Sequence, residues 1–215
     1  MRDIYSMASK AETAVAGPIE GLTAPRAPVG ISDKVIVVGA SSDDAEALCE
    51  FLASLTEEAP GVVIARPAPT EPTAWLAARL NDLCAITVKE ASDGESVIAG
   101  QALIAPDGKH LLLRRSGARY YVELRDGPPV SGHRPSADVL FRSAARCAGK
   151  NAIGVMMAGM GGDGVNGILE LRNIGAYTIE QEASSCFISD LLAEAINIGA
   201  MARGKSSGSV VRQFR

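Results

Sequence analysis

The run Val35-Ile36-Val37-Val38, which ends on Gly39-Ala40-Ser41-Ser42, limits the folds open to this chain more than any other segment. Four successive β-branched residues leave no face for water, so the run predicts a strand buried on both sides. Such strands belong to parallel sheets covered by helices. Ser42-Asp43-Asp44 then opens a predicted helix to about Leu55. Its acids stand where the positive end of a helix dipole favours them.

The alternation repeats. Val62-Val63-Ile64 reads as a strand and Thr73 to Cys84 as an amphipathic helix. Ile153-Gly154-Val155-Met156-Met157 precedes a helix from Gly164 to Ile174, and Tyr177-Thr178-Ile179 precedes one from Leu191 to Ile198. Serial strand–helix units predict an α/β fold with a doubly wound, mostly parallel sheet flanked by helices. The middle departs from this. Ala102-Leu103-Ile104, His110 to Arg114 and Tyr120 to Leu124 are strand-like, with turns at Pro106-Asp107-Gly108 and Ser116-Gly117. They predict an antiparallel hairpin insertion. Ala137 to Cys147 reads as a helix after the break at Pro135.

A length of 215 residues suits one domain. Residues 1–32 are rich in Ala, Pro and Gly without a sustained period, and are expected to be a flexible N-terminal arm. The domain is expected over 33–203 and a C-terminal tail over 204–215. The net charge of −4 implies no strongly basic face, which argues against a nucleic-acid partner. No apolar run approaches a membrane span, and no apolar signal region follows Met1-Arg2-Asp3. The expectation is a cytoplasmic protein with no membrane insertion. Cys49, Cys84, Cys147 and Cys186 are far apart and form no C-x-x-C pair. They read as reduced core thiols, and no metal site is expected.

Three segments carry candidate chemistry. Gly39-Ala40-Ser41-Ser42 lies between a buried strand and a helix, at the sheet edge where α/β folds bind ligands. There Ser41 can face the crevice beside helix N–H groups able to stabilise an oxyanion; alternatively Ser41 or Ser42 is a plain helix cap. Gly159-Met160-Gly161-Gly162-Asp163-Gly164 fits G-x-G-x-x-G, with Glu180 near the end of the next strand. It allows a dinucleotide site, a glycine turn with positive φ, or a loop that aims Asp163 at a partner across the crevice. In Gly132-His133-Arg134-Pro135-Ser136-Ala137-Asp138, Ser136 suits a helix cap and Asp138 its first turn, while His133 and Arg134 can face the crevice. His110, in an apolar strand, reads as structural. Arg114, Arg115 and Arg119 flank a hairpin turn and read as a solvated edge, or else as a dock for an acidic partner.

Taken in order, these segments resemble the catalytic domain of the CheB protein-glutamate methylesterases. Val38-Gly39-Ala40-Ser41-Ser42 is similar to that family's nucleophile turn. Val88-Lys89-Glu90-Ala91, Asp93-Gly94-Glu95, Ala105-Pro106 and Asp126-Gly127-Pro128 match its middle. His133-Arg134-Pro135-Ser136, Asp138-Val139-Leu140-Phe141, the glycine loop, Ser185-Cys186 and Glu194-Ala195-Ile196-Asn197 complete the series, from about Val35 to Gly199. The resemblance implies hydrolysis of glutamate methyl esters on chemoreceptor helical bundles by a serine, a histidine and an aspartate, without a cofactor. It puts Ser41 at the nucleophile, Asp163 at the orienting acid and the Met160 backbone N–H at the oxyanion donor. Family members commonly carry an N-terminal receiver domain; the residues before Lys34 are too few for one, and none is expected.

Three positions depart from the family pattern. Its histidine follows the second strand, where this chain has Pro67 within Ala65-Arg66-Pro67-Ala68-Pro69. The chain has two histidines, His110 and His133, and each matches a different family position. A Gly-Gly pair after the nucleophile turn is Asp43-Asp44, and a Phe-Gly-Met-Pro segment is Ser189-Asp190-Leu191-Leu192. A serine hydroxyl is a poor nucleophile without a neighbouring base, and neither proline nor a permanently charged arginine is one. The expectation is a CheB-like protein with little or no esterase activity that binds a chemoreceptor's cytoplasmic helical bundle or another chemotaxis protein. The alternative is an active methylesterase with His133 as a substitute base.

Overall fold

A strand that is apolar on every residue needs cover on both faces, and β1 (Val35–Gly39) has it: all five residues are buried. The computed structural model describes residues 33–67, 71–157 and 159–180. After β1 come α1 (Ala45–Ala53), β2 (Val62–Ala65), α2 (Thr73–Leu83), β3 (Thr87–Glu90), β4 (Ser96–Val97) and β5 (Gln101–Ile104). Then follow β6 (His110–Ser116), β7 (Arg119–Arg125), α3 (Ala137–Cys147), β8 (Ala152–Met156), α4 (Val165–Asn173) and β9 (Tyr177–Glu180).

Six strands form one parallel sheet in the order β3-β5-β2-β1-β8-β9. Helices α1 and α2 pack their apolar faces (Leu48, Phe51, Leu52, Leu76, Leu80) on one side. Helices α3 and α4 cover the other with Leu140, Phe141, Ile168 and Leu171. The predicted doubly wound architecture is therefore present. Gly39 shows how closely the layers meet: a Cβ built there would lie 2.8 Å from Ala137 Cβ and 3.1 Å from the Phe141 ring. No side chain fits, so α3 rests directly on the end of β1.

The insertion is smaller than the sequence suggested. Its antiparallel sheet has the order β4-β7-β6, and its inward residues Leu111, Leu113, Tyr120 and Val122 alternate with more exposed ones. Ala102-Leu103-Ile104, expected in that insertion, belongs instead to β5 in the parallel sheet, between β3 and β2. All four residues of β5 are buried, as a both-sides-covered strand requires. Strand β3 had not been anticipated; it is a short edge on which Val88 alone is fully buried.

Helix α1 starts at Ala45, three residues later than expected, because Ser42-Asp43-Asp44 forms the preceding turn. The expected helix at Leu191 to Ile198, the Ser185-Cys186 and Ser189-Asp190 segments, and the arm and tail lie outside the described residues. Among the described residues, no helix is long and apolar enough to cross a membrane.

Candidate active site

In a doubly wound sheet, ligands bind beyond the carboxyl ends of the strands where the chain direction of winding reverses. Here that place is between β1 and β8. From β1 the chain winds through α1 to β2, while from β8 it winds through α4, on the opposite face, to β9. The turns after β1 and β8 consequently face each other. Met157 N–H donates to Gly39 O at 2.9 Å, and a Cβ built on Gly159 would lie 3.1 Å from Ser41 Oγ. With φ of +77° at Gly159, both the backbone and the space exclude a larger residue.

A cleft of about 410 Å³ opens at this point. Ser41, Ser42 and Asp43 come from the first turn, and Gly159 and Met160 from the second. Pro67, just past β2, and the Gly132-His133-Arg134 segment before α3 complete much of the wall. Five residues singled out in the sequence, Ser41, Pro67, His133, Arg134 and Met160, thus meet in one cleft. Asp107 and Gly108 also line it. In sequence, Pro106-Asp107-Gly108 reads as a hairpin turn. Assigning β5 to the parallel sheet would have found them, since its carboxyl end then leads into the crevice.

The Ser41 hydroxyl accepts the Asp43 N–H at 3.3 Å, and Ser41 N–H donates to the Asp44 carboxylate at 3.0 Å. Ser42 Oγ donates to Asp43 Oδ1 at 3.2 Å. Beneath the turn lies Arg66, 4% exposed, whose Nη2 donates to Ser42 O at 2.6 Å. Burial lowers the Arg66 pKa from its ordinary value, while Glu71, Asp107 and Asp44 act in the opposite direction. The turn that carries Ser41 is therefore held from below by a buried cation and from within by a carboxylate.

Asp163 does not line the cleft. It is 1% exposed and accepts Ser136 Oγ–H at 2.7 Å, Ala137 N–H at 2.8 Å and Asp138 N–H at 3.2 Å. Ser136, expected as the cap of α3, stands at the N-cap position but makes no capping bond of its own. Its hydroxyl binds the carboxylate that does the capping. The reason is tertiary: the glycine loop, with positive φ at Gly159, Gly161, Gly162 and Gly164, delivers a stronger, charged acceptor to the same amides. Asp138 is in the first turn of α3 as expected, and its Oδ1 accepts Gly167 N–H of α4 at 2.7 Å.

His133 is half-buried and pairs through its backbone with Val130, while Arg134 Nη1 donates to Gly127 O at 2.6 Å. His110 sits outside the cleft, 5% exposed, with Nε2 at 3.0 Å from Pro128 O, in keeping with a structural role. Arg114 pairs with Glu123, and the Arg115 guanidinium stacks 5.6 Å from the Tyr120 ring centre. Among the described residues no cluster of His, Cys, Asp or Glu could hold a metal.

A serine turn at the switch point, facing a glycine loop with a buried aspartate, is the layout that the sequence resemblance implied, and residues 36–210 match the CheB methylesterase family. The chain belongs to that family. The CheB relatives include the protein-glutamate methylesterase/protein-glutamine glutaminase 5 of Anaeromyxobacter dehalogenans, 56% identical over 80% of this chain and 48% of the relative. Protein 1 of the same description from Xanthomonas oryzae is 49% identical over 88% of this chain and 54% of its own length. The chain spans about half the length of these CheB relatives. The crystal structure of the Thermotoga maritima CheB methylesterase catalytic domain superposes with a TM-score of 0.67 at 29% identity, covering 77% of this chain and 88% of that one. The CheB catalytic fold, with its mostly parallel sheet and small antiparallel sheet, is the fold described above.

Proposed function

We propose that this CheB-family chain is a cytoplasmic chemotaxis protein that binds a chemoreceptor's helical bundle, or another chemotaxis protein, and hydrolyses methyl esters little or not at all. The observation that carries this reading is the hydrogen bonding of Ser41. Its hydroxyl is met by a backbone amide from Asp43, and among the described residues no imidazole bonds to it. Pro67 lines the cleft, and on the sequence resemblance it stands where the family pattern has its histidine. Asp163, which the resemblance puts at the family's orienting acid, spends its carboxylate on Ser136 and the first amides of α3. The carboxylates of Asp43 and Asp44 stand beside the turn where an oxyanion would develop, and like charge there opposes it by about 1–4 kcal/mol at partial exposure.

In a serine hydrolase whose histidine is removed, turnover falls by on the order of a millionfold. The test is methanol release from a methylated receptor fragment, with Ser41→Ala as control. The expected outcome is no serine-dependent release alongside measurable binding. Turnover at an ordinary enzyme rate, about 1 per second or more, that Ser41→Ala abolishes would overturn the reading.

One observation favours a second reading, an active methylesterase with a substitute base: His133 lines the same cleft as Ser41. On that reading His133→Ala abolishes hydrolysis while the fold persists, as loss of the general base requires.

A further inference from the structure

Helix α2 carries apolar surface that no other element among the described residues covers. Its inner residues Leu76, Ala77 and Leu80 are buried against the sheet. On its outer side Trp75 is 69% exposed and Leu83 60%. These two stand eight positions apart, with the exposed Arg79 midway. Residues at i, i+4 and i+8 lie along one face of a helix, here a seam about 12 Å long. Ala78, exposed beside it, is small enough for another helix to approach closely. The seam starts at the cleft: Thr73, the first residue of α2, donates its hydroxyl and its N–H to Asp107 at 2.9 and 3.3 Å, and Asp107 is part of the cleft wall.

We propose that this outer face of α2 docks one amphipathic, glutamate-bearing helix of the polypeptide whose side chain enters the cleft. The inference rests on the receptor-binding reading and names the surface that serves it. The spacing identifies the occupant as a helix, because anchors four residues apart match the ridges of a helical partner. Trp75 is the only tryptophan in the chain, and an exposed indole is the side chain most often found to dominate a protein interface. Charge sets the rest. Arg79 is paired only loosely with Glu71, at 3.7 Å and with 56% of its side chain exposed, so it is available to an acidic residue in the middle of the partner helix. Asp82 stands one turn on, exposed, and favours a basic residue there. The cleft takes one side chain; the seam fixes the axis of the helix that presents it.

The lone tryptophan provides the test. A soluble, tryptophan-free two-helix fragment of a chemoreceptor cytoplasmic domain is titrated into the full chain. The emission of Trp75 is expected to shift to the blue and saturate as the indole leaves water. Trp75→Ala, followed by calorimetry, is expected to weaken binding at least tenfold, and Arg79→Glu severalfold, with melting temperatures unchanged because both side chains are exposed. Binding that leaves the emission unshifted and is indifferent to Trp75→Ala overturns the seam but leaves receptor binding standing. No binding by the unmodified chain overturns both. A concentration-dependent dimer in sedimentation that Trp75→Ala disperses assigns the seam to a second copy and overturns the proposal.

Discussion

Helices α1 and α3 begin at the same edge of the parallel sheet, yet their N-termini are finished in opposite ways. The first amides of α3 are closed by Asp163, a carboxylate brought in from the loop after β8 and shielded from water. Asp138 then does the same for Gly167 of α4, so the two helices hold each other's starts. At α1 the N-cap residue, Asp44, turns its carboxylate backwards onto Ser41 N–H, and no side chain among the described residues caps the helix. One end is architecture and the other faces the cleft. An aspartate at a site position is therefore not by that fact free for chemistry: three donors already occupy Asp163.

The largest effect is expected from removing the architectural carboxylate. Asp163→Ala leaves two buried amides and a hydroxyl without their acceptor, and is expected to cost about 3 kcal/mol in denaturant unfolding. Asp163→Asn keeps one acceptor oxygen and should cost about half as much. A negligible loss in Asp163→Ala would show that the residue does not hold α3. On the other side of the cleft, Gly159→Ala forces a side chain into a positive-φ position against Ser41 Oγ, and is expected to cost about 1–3 kcal/mol, read as a lowered melting temperature. An unchanged melting temperature would mean that the two turns do not meet as tightly as described.

Most of the fold could be read from local pattern. Val35 to Val38 announces a doubly covered strand because burial on both faces shows directly in composition. The error at Ala102-Leu103-Ile104 arose because a short apolar run does not state its direction, and the true hairpin strands lie next to it in sequence. The residues of the cleft were legible as candidates because each follows a strand or precedes a helix at one sheet edge. Asp107 was not, since a Pro-Asp-Gly turn looks the same wherever it occurs. The remote caps escaped altogether. Ser136 is the local choice for α3, and only the meeting of two loops distant in sequence lets Asp163 replace it.

The hairpin supplies the weakest contrast with Asp163 and so the finest test of it. Glu123 is also a carboxylate with more than one donor, but it lies at the surface, bonded by Arg114 and by Arg125. The hydrogen bond from Arg114 and then that from Arg125 hold its pKa below the ordinary carboxylate value. A depressed folded-state pKa contributes stability that is present above the unfolded value, about 4.3. That contribution fades as pH falls through the folded value. Solvent and salt screen a pair this exposed, so Glu123→Gln is expected to cost only about 0.5 kcal/mol at neutral pH. The gap between the two proteins should close progressively below about pH 4, and should shrink in 1 M salt, where the screening length is about 3 Å. A gap that survives both treatments would mean that Glu123 acts through the geometry of its hydrogen bonds, in which an amide replaces one acceptor by a donor, rather than through charge. The contrast with Asp163 would then be one of place alone, since both carboxylates would hold their donors by directed hydrogen bonds.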